Sequence, residues 1–142
     1  MNTQFFFEKK ITLSQRTRLK AFITFLANRE KKKVASISII FCSNNYLLEI
    51  NRTHLKHDYY TDIITFDLSS KPSDPIEAEL YISVDMIKEN ASKFKTTIQN
   101  ELHRVIFHGI LHLCGYKDKT KSAQLLMRSK ENEYLDLYFQ KK

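Results

Sequence analysis

The amino-acid sequence predicts an α+β fold: a single domain over residues 1–142 with a small mixed sheet of about four strands packed with about five helices. The length suits one domain, and 42% hydrophobic residues are enough for one core. Strand and helix patterns alternate in the first part of the chain, and helical patterns dominate the last part. No internal repeat, low-complexity tract or linker divides the sequence.

The first half of the chain alternates strand and helix patterns. Residues 4–11 are predicted as a strand, and Ser14 as the cap of a helix that runs to Arg29. Residues 34–42 alternate apolar and polar side chains, as a half-buried strand does. Residues 44–56 are predicted as a short helix. The predicted apolar stripe of the first helix consists of Leu19, Phe22, Ile23 and Leu26.

Two strands and three helices are predicted to follow. The strands are residues 63–68 and 78–84, and the turn-forming segment 71–74 with its neighbouring prolines separates them. The helices are residues 85–94, a helix that begins near Thr97, and residues 120–139. The middle helix is predicted to face the core with Ile98, Leu102, Val105, Ile106, Ile110 and Leu113. The last helix is predicted to do so with Ala123, Leu126, Met127, Tyr134 and Leu137.

Both glycines of the chain, Gly109 and Gly115, lie among three potential metal ligands, His108, His112 and Asp118. The four-residue spacing puts the two imidazoles on one side of a helix. Gly115 stands where a helix end favours a left-handed residue, so the chain can turn back and bring Asp118 toward the rings. Gly109 is expected to allow another backbone or a substrate to approach. Two imidazoles and one carboxylate leave a fourth position open, which is typical of catalytic zinc.

We therefore predict one zinc ion as the cofactor, bound by His108, His112 and Asp118. The alternative is a pair of amphipathic-helix histidines that bind no metal. A general base is not identified, because Gly109 stands where metalloproteases of the H-E-x-x-H type place glutamate. No catalytic residue is assigned beyond the three predicted ligands.

Basic residues outnumber acidic ones, 23 to 16, which gives a net charge of +7 and favours an anionic partner such as nucleic acid. Lys117 and Lys119 flank the predicted metal site, and Arg104 shares a helix face with the histidines. These three residues are the candidate substrate-binding residues, although Arg104 and Glu101 equally suit a surface ion pair. Two further runs are predicted to be solvated surface, Lys31 to Lys33 and Lys141 to Lys142.

The remaining histidines and the cysteines are predicted to be structural. His54 and His57 lack a third ligand, so a solvated loop is favoured over a metal site. His103 lies on the ligand helix but points away from His108, which favours packing or surface exposure. Cys42 and Cys114 are predicted to be core thiols. No apolar stretch matches a signal-peptide core or a membrane span, so we expect a cytoplasmic protein with no membrane partner.

Residues 108–116, H-G-I-L-H-L-C-G-Y, resemble the H-G-x-L-H-L-x-G-Y signature of the bacterial YbeY proteins. Residues 61–66, T-D-I-I-T-F, are similar to the T-D-V-L-S-F segment of that family, residues 78–83 to its G-D-I-x-I-S strand, and Asn51 to an upstream asparagine. The resemblance implies a metal-dependent endoribonuclease specific for single strands. It further implies a role in ribosomal RNA maturation, at the 3′ end of 16S rRNA, and in ribosome quality control, with ribosomal RNA or ribosomal particles as partners.

The sequence departs from the family pattern at three places. Asp118 replaces the usual third histidine, and a carboxylate is an accepted zinc ligand. Leu55 stands at the position of a family arginine, for which Arg52 and Lys56 are the nearby candidates. Residues 78–79, Ala-Glu, replace Gly-Asp. Two other functions stay open: another zinc metallohydrolase, such as a protease, and a ribosome- or RNA-binding protein whose metal is structural.

Overall fold

The computed structural model describes residues 2–140, so Lys141 and Lys142, predicted as solvated surface, lie outside the described residues. Within this range the chain forms a four-stranded sheet and five helices, which confirms the predicted α+β fold. The elements are β1 (Thr3–Phe7), α1 (Arg16–Arg29), β2 (Val34–Cys42), α2 (Asn44–His54), β3 (Ile63–Asp67), β4 (Ile76–Ser83), α3 (Val84–Lys93), α4 (Ile98–Leu113) and α5 (Lys121–Phe139).

The sheet has the strand order β1-β2-β4-β3 and is mixed, as predicted. β1, β2 and β4 run parallel to one another, whereas β3 pairs antiparallel with β4. Parallel neighbours require a crossover, which α1 provides between β1 and β2. β3 is the edge strand that runs past α4 toward the predicted ligands. The hairpin β3–β4 and the helix α4 therefore form the walls of the region in which the site lies.

Alternation along the strands divides the core between the two faces of the sheet. Leu80 and Ile82 of β4 belong to the larger cluster, which α1, α3, α4 and α5 complete. Tyr81, between them, packs on the opposite face against the smaller cluster of Cys42, Leu47 and Ile64, which α2 covers. Most of α4 is buried in the larger cluster. The helix that carries the two histidines is thus held on several sides.

The start of the chain differs from the prediction in two respects. β1 ends at Phe7, not at residue 11, because its last partner in β2 is Phe41, one residue before that strand ends. Ser14 does not cap α1: the N-cap is Gln15, with φ of 54° and no side-chain cap bond. The left-handed turn at Gln15 follows Leu13, which is anchored in the core, so Ser14 lies outside the first helical turn.

The buried faces of the last two helices are partly corrected. On α4, the predicted core residues other than Ile98 are buried, and Ile98 is exposed because it directly follows the Thr97 cap. On α5, Leu126 and Leu137 are exposed instead of buried. The inward stripe of α5 is Met127, Glu131, Tyr134, Leu135 and Tyr138. The apolar pattern missed this stripe because a glutamate occupies one of its central positions.

None of the helices within residues 2–140 has the length and apolar character needed to cross a membrane.

Candidate metal centre

The C-terminal half of α4 carries His108 and His112 on one side, with their ring centroids 4.6 Å apart. The helix begins regularly, because the Thr97 hydroxyl accepts a hydrogen bond of 3.0 Å from the backbone N–H of Asn100. Leu111 and Leu113, their neighbours in sequence, are buried in the core. The two imidazoles therefore project from a rigid element, which is what a precise metal site requires.

Gly115 ends α4 and turns the chain back, as predicted. Its φ is +108°, a conformation that side-chain-bearing residues rarely adopt, and its N–H donates to the carbonyl of His112 over 3.0 Å. Gln124 of α5 then holds the returning segment, donating from Nε2 to the Asp118 carbonyl over 3.0 Å. The Asp118 carboxylate consequently lies 3.2 Å from His112 Nε2 and 3.5 Å from His108 Nε2.

Gly109 serves the packing of α4 on the sheet. A Cβ at this position would overlap the side chain of Leu80 and come 2.8 Å from Cδ1 of Ile63. The expectation of a close backbone or substrate was wrong, because the neighbours are side chains of β4 and β3. The missing Cβ lets α4 approach the hairpin closely enough for its histidines to face the segment before β3.

Hydrogen bonds orient both imidazoles toward Asp118. His112 Nδ1 donates to the backbone carbonyl of Tyr116 over 2.9 Å, and a carbonyl can only accept. His108 Nδ1 donates to Glu131 Oε2 over 2.6 Å. In the neutral rings each Nε2 therefore carries a lone pair, and both face the Asp118 carboxylate. Such an arrangement of acceptors is repulsive unless a cation shares them.

The geometry of the three groups fits a tetrahedral divalent ion. Ligand atoms at about 2.0–2.1 Å from tetrahedral zinc lie about 3.3 Å from one another, and the two distances to Asp118 Oδ2 are 3.2 and 3.5 Å. All three ligand atoms lie within 4.8 Å of one another. Across residues 2–140, His108, His112 and Asp118 are the group of histidine, cysteine or acidic residues that meets this spacing. The donor set is suitable for zinc, whose presence stays a prediction.

Glu131 is a residue of the site that sequence reasoning missed. Its carboxylate is almost completely buried and binds His108 Nδ1 on one side and Arg104 Nη1, over 3.0 Å, on the other. Burial alone would raise its pKa, but His108, Arg104 and Arg128 outweigh it and hold the pKa below the ordinary value. A carboxylate behind a metal-binding histidine fixes the ring and raises its basicity. The sequence signal that could have indicated this residue is a glutamate among the inward-facing residues of α5.

The ionisation of His108 follows from the same contacts. Burial opposes its protonation, but the hydrogen bond to Glu131 and the charges of Glu131, Asp62 and Asp118 raise its pKa above the ordinary value. Three carboxylates thus surround one imidazole. A region with this much negative charge favours a bound cation.

Asp62 is the second residue that sequence reasoning left without a role. It lies just before β3 and lines two clefts that meet at the predicted ligands. Burial raises the pKa of its carboxyl group, and the neighbouring His108 opposes that rise in part. Perturbed carboxyl groups in clefts are candidates for proton transfer. The T-D-I-I-T-F segment contained this residue, but the sequence did not show that it faces His108.

Two clefts border the predicted ligands. The strand cleft, of about 440 Å³, runs along β3 and is lined by Asn51, Leu55, Tyr59, Asp62, His112 and Asp118, among others. The helix cleft, of about 600 Å³, lies between α3, α4 and α5 and is lined by Asn90, Phe94, Glu101, Arg104, Lys121 and Arg128, among others. His108, Asp62 and Asp118 border both clefts. The predicted ligands therefore lie where the two clefts meet.

The predicted substrate-binding residues lie at different distances from the ligands. Arg104 lines the helix cleft, but its guanidinium group is bound to Glu131 and, over 2.8 Å, to Asn132 Oδ1. Lys117 is exposed and borders a further cleft that reaches His112. Lys119 is exposed and lines neither the strand cleft nor the helix cleft. Substrate contacts by these residues stay predictions.

The two candidates for the missing family arginine do not reach the site. Arg52 is bound to Glu49 and Asp58 and does not line the strand cleft. Lys56 does not line it either, whereas Leu55 does. The position of the family arginine thus faces the cleft with an apolar side chain.

The other histidines and the cysteines behave as structural residues. His54 and His57 are exposed. His103 is buried against Tyr138, so of the two predicted alternatives, packing and surface exposure, packing is correct. Cys42 is buried, and Cys114 is half-buried, packed against the larger core cluster. Burial raises the pKa of each thiol to about 12.

Comparisons with known proteins agree with this architecture. A family model described as "Endoribonuclease YbeY" matches residues 4–138. The endoribonuclease YbeY of Cytophaga hutchinsonii is 46% identical over 137 residues, which cover 95% of each chain. That of Flavobacterium psychrophilum is 51% identical over 109 residues, 77% of this chain and 76% of the relative. A Thermotoga maritima protein solved in solution superposes with a TM-score of 0.65 at 27% identity, covering 96% of this chain and 89% of the other.

Proposed function

Because the chain belongs to the endoribonuclease YbeY family, we propose that it is an endoribonuclease that hydrolyses single-stranded RNA with one zinc ion bound by His108, His112 and Asp118. The substrate is ribosomal RNA, at the 3′ end of 16S rRNA during maturation and in ribosome quality control, in the cytoplasm. The observation that carries the proposal is the convergence of two imidazole Nε2 atoms and one carboxylate between two open clefts.

Each residue of the site has a distinct task in this proposal. The two Nε2 atoms and the Asp118 carboxylate bind the ion, while Glu131 and the Tyr116 carbonyl keep the rings in the required tautomer. A zinc ion held by these residues would polarise a phosphoryl oxygen or lower the pKa of a water molecule. Asp62, with its raised pKa, is the carboxylate beside His108 that accepts the proton of the attacking water.

The two alternative functions are less well supported. A zinc protease of the H-E-x-x-H type needs a glutamate where α4 has Gly109, and the packing against Leu80 leaves no room for a side chain there. An RNA-binding protein with a structural metal would need a fourth protein ligand to close the site. Within residues 2–140 the group contains three ligands.

The replacement His112→Ala tests the proposed function. We expect the variant to lose zinc and RNA cleavage while it keeps most of its affinity for RNA, because the clefts do not depend on this imidazole alone. The measurements are metal content of the purified protein, cleavage of one structured and one unstructured RNA, and binding of the unstructured RNA.

His57→Ala is the matched control, because His57 is exposed and outside the ligand group. It should keep both metal and activity, and a chelator should abolish cleavage by the wild type. Cleavage by the His112 variant at the wild-type rate would show that the active site lies elsewhere.

Asp62→Asn tests the proton acceptor separately from the metal. The amide keeps the shape of the side chain but cannot take a proton, so we expect kcat to fall by about 10²–10⁴-fold with zinc content unchanged. The pH profile of kcat should also lose its acidic limb. An unchanged kcat would remove Asp62 from the mechanism.

A further inference from the structure

The Glu101 side chain is largely buried, but its carboxylate lines the helix cleft and has no protein partner among the described residues. Its residue exposure is 6%, and within residues 2–140 no hydrogen bond or ion pair joins either oxygen to another side chain or to the backbone. An acidic residue in the first turn of a helix interacts favourably with the helix dipole, but that effect does not require burial. Both carboxylate oxygens are therefore free to accept hydrogen bonds from the N–H groups of a ligand in the cleft.

Glu101 lies on the wall of the helix cleft, whose rim is apolar. Phe94 on the α3 side is 57% exposed and Leu125 on the α5 side is 65% exposed, and both line the cleft. Flat aromatic faces of this kind bind nucleobases by stacking. The cleft volume of about 600 Å³ lies in the ordinary range for small-molecule sites, about 300–1,000 Å³.

Positive charge surrounds this apolar rim. Lys121 and Arg128 line the cleft, and the Lys93 ammonium lies 5.5 Å from the centroid of the Phe94 ring. These groups suit the phosphates on either side of a bound base. Burial and the charges of Asp62 and Glu131 raise the pKa of Glu101, and Arg104 and Arg128 oppose the rise only in part. N–H groups of a bound base next to the carboxylate would favour its ionised form, which offers two acceptors side by side.

We propose that the helix cleft binds one unpaired guanine of the RNA strand, with the base stacked on Phe94 and its N1–H and N2–H groups donating to the two oxygens of Glu101. Guanine is the base that presents two adjacent donors on its pairing edge, whereas adenine and cytosine present one amino group there. The cleft reaches His108 and Asp118, so the bound base lies next to the phosphate that is cleaved. The inference rests on the proposed function for its substrate class.

Mononucleotides test the base preference without cleavage, because they contain no internal phosphodiester bond. Binding of the 5′-monophosphates of guanosine, inosine, adenosine and cytidine to the zinc-loaded wild type is measured by NMR titration. The phosphate group is common to all four probes, so differences report on the base. We expect guanosine monophosphate to bind about tenfold more tightly than adenosine monophosphate, the discrimination of one bidentate pair. The affinity for inosine monophosphate, which lacks the N2 amino group, should lie between these two values.

Glu101→Gln replaces one acceptor by a donor without changing the shape of the side chain. We expect its affinity for guanosine monophosphate to fall to that of adenosine monophosphate. Glu89→Gln makes the same chemical change at an exposed position of α3 and should leave the preference intact. Equal affinities of the wild type for all four nucleotides, or a preference that survives in Glu101→Gln, would overturn the proposal. So would a loss of zinc from Glu101→Gln, because Glu101 would then be a metal ligand.

Phe94→Leu tests the stacking surface independently of the carboxylate. Loss of the ring should lower the affinity for all four nucleotides by about tenfold, since base–aromatic stacking does not depend on the base. Phe25→Leu, at another half-exposed phenylalanine on α1, is the control and should have no effect. Unchanged binding by Phe94→Leu would overturn the stacking assignment.

The results separate the inference from the proposed function. A guanine preference in a protein that cleaves no RNA would support the base site and contradict the endoribonuclease. RNA cleavage combined with equal affinity for the four nucleotides would support the endoribonuclease and contradict the base site.

Discussion

Asp118 is the predicted ligand that most depends on its surroundings. It lies on a loop and its side chain is 41% exposed, whereas His108 and His112 are fixed on a buried helix. Its position is set by Gly115 and by the hydrogen bond from Gln124 to its carbonyl. The role of the carboxylate is therefore best tested at the residue itself.

We expect Asp118→His to keep zinc, because imidazole and carboxylate are both accepted zinc ligands. Asp118→Ala should weaken zinc binding strongly, since it leaves two protein ligands. The measurement is zinc content after dialysis against a competing chelator. Full occupancy of both variants would show that Asp118 is not a ligand.

Glu131 acts through His108, and Glu131→Gln should separate positioning from folding. The amide still accepts a hydrogen bond but carries no charge, so we expect zinc affinity to fall by about 10–100-fold. A titration against a chromophoric chelator measures this, and thermal unfolding shows whether the fold is kept. Glu133→Gln, at a half-buried glutamate of α5 that pairs with Arg29 and Lys130 and not with the site, is the control. Equal zinc affinity in the two variants would contradict the positioning role.

Local rules predict some residues of the site but not others. The spacing of His108 and His112 and the glycine stop follow from helix geometry, so the sequence alone was enough to bring Asp118 toward the rings. Glu131 and Asp62 reach His108 through the packing of α5 and of the β3 edge against α4. No local pattern contains that packing, and this is why both roles were missed.

At the scale of elements, the contact between α4 and the β3–β4 hairpin controls the shape of the site. Gly109→Ala should destabilise the protein by about 1–3 kcal/mol, because the added methyl group overlaps Leu80, which is fully buried and has little room to move. Chemical denaturation measures the free energy of unfolding.

A double-mutant cycle supplies the control for this contact. Leu80→Ala opens space beside position 109, so Gly109→Ala should cost less in that background, with a coupling of about 0.5–3 kcal/mol. Additive effects of the two replacements would show that the added methyl group does not press on Leu80.

Element predictions succeeded where one periodicity dominated. The alternation over Val34–Cys42 gave the bounds of β2, and the apolar spacing of α4 gave most of its buried face. The predicted buried face of α5 was partly wrong, because Glu131 interrupts its apolar residues at the site. The start of α1 was misplaced because the turn at Gln15 depends on the anchoring of Leu13 in the core.

At the scale of the whole molecule, Glu30 joins three separate parts of the chain. Its carboxylate, at the end of α1, accepts hydrogen bonds from Tyr116 after the ligand helix and from Tyr134 on α5. Burial opposes its ionisation, but these two hydroxyl groups and the charges of Lys130 and Arg29 lower its pKa. A lowered pKa in the folded state stabilises the protein above the unfolded pKa of the group, and the gain is lost as the pH falls through the folded value.

We expect Glu30→Gln to lower the free energy of unfolding by about 1 kcal/mol at neutral pH, because charge-assisted hydrogen bonds become neutral ones. The difference from the wild type should shrink as the pH falls below the ordinary range of a glutamate. Urea unfolding at several pH values measures it, with Glu89→Gln as the exposed control. A difference that is constant with pH would contradict the ionic origin of the effect.

Tyr116 couples the local unfolding of two parts of the molecule. Its carbonyl holds the His112 ring, and its hydroxyl holds Glu30, which is 86 residues away in sequence. The turn at the predicted ligands and the end of α1 cannot separate without breaking one of these bonds. Their amides should therefore exchange with solvent deuterium at linked rates, so that exchange at the end of α1 reports on the opening of the ligand turn.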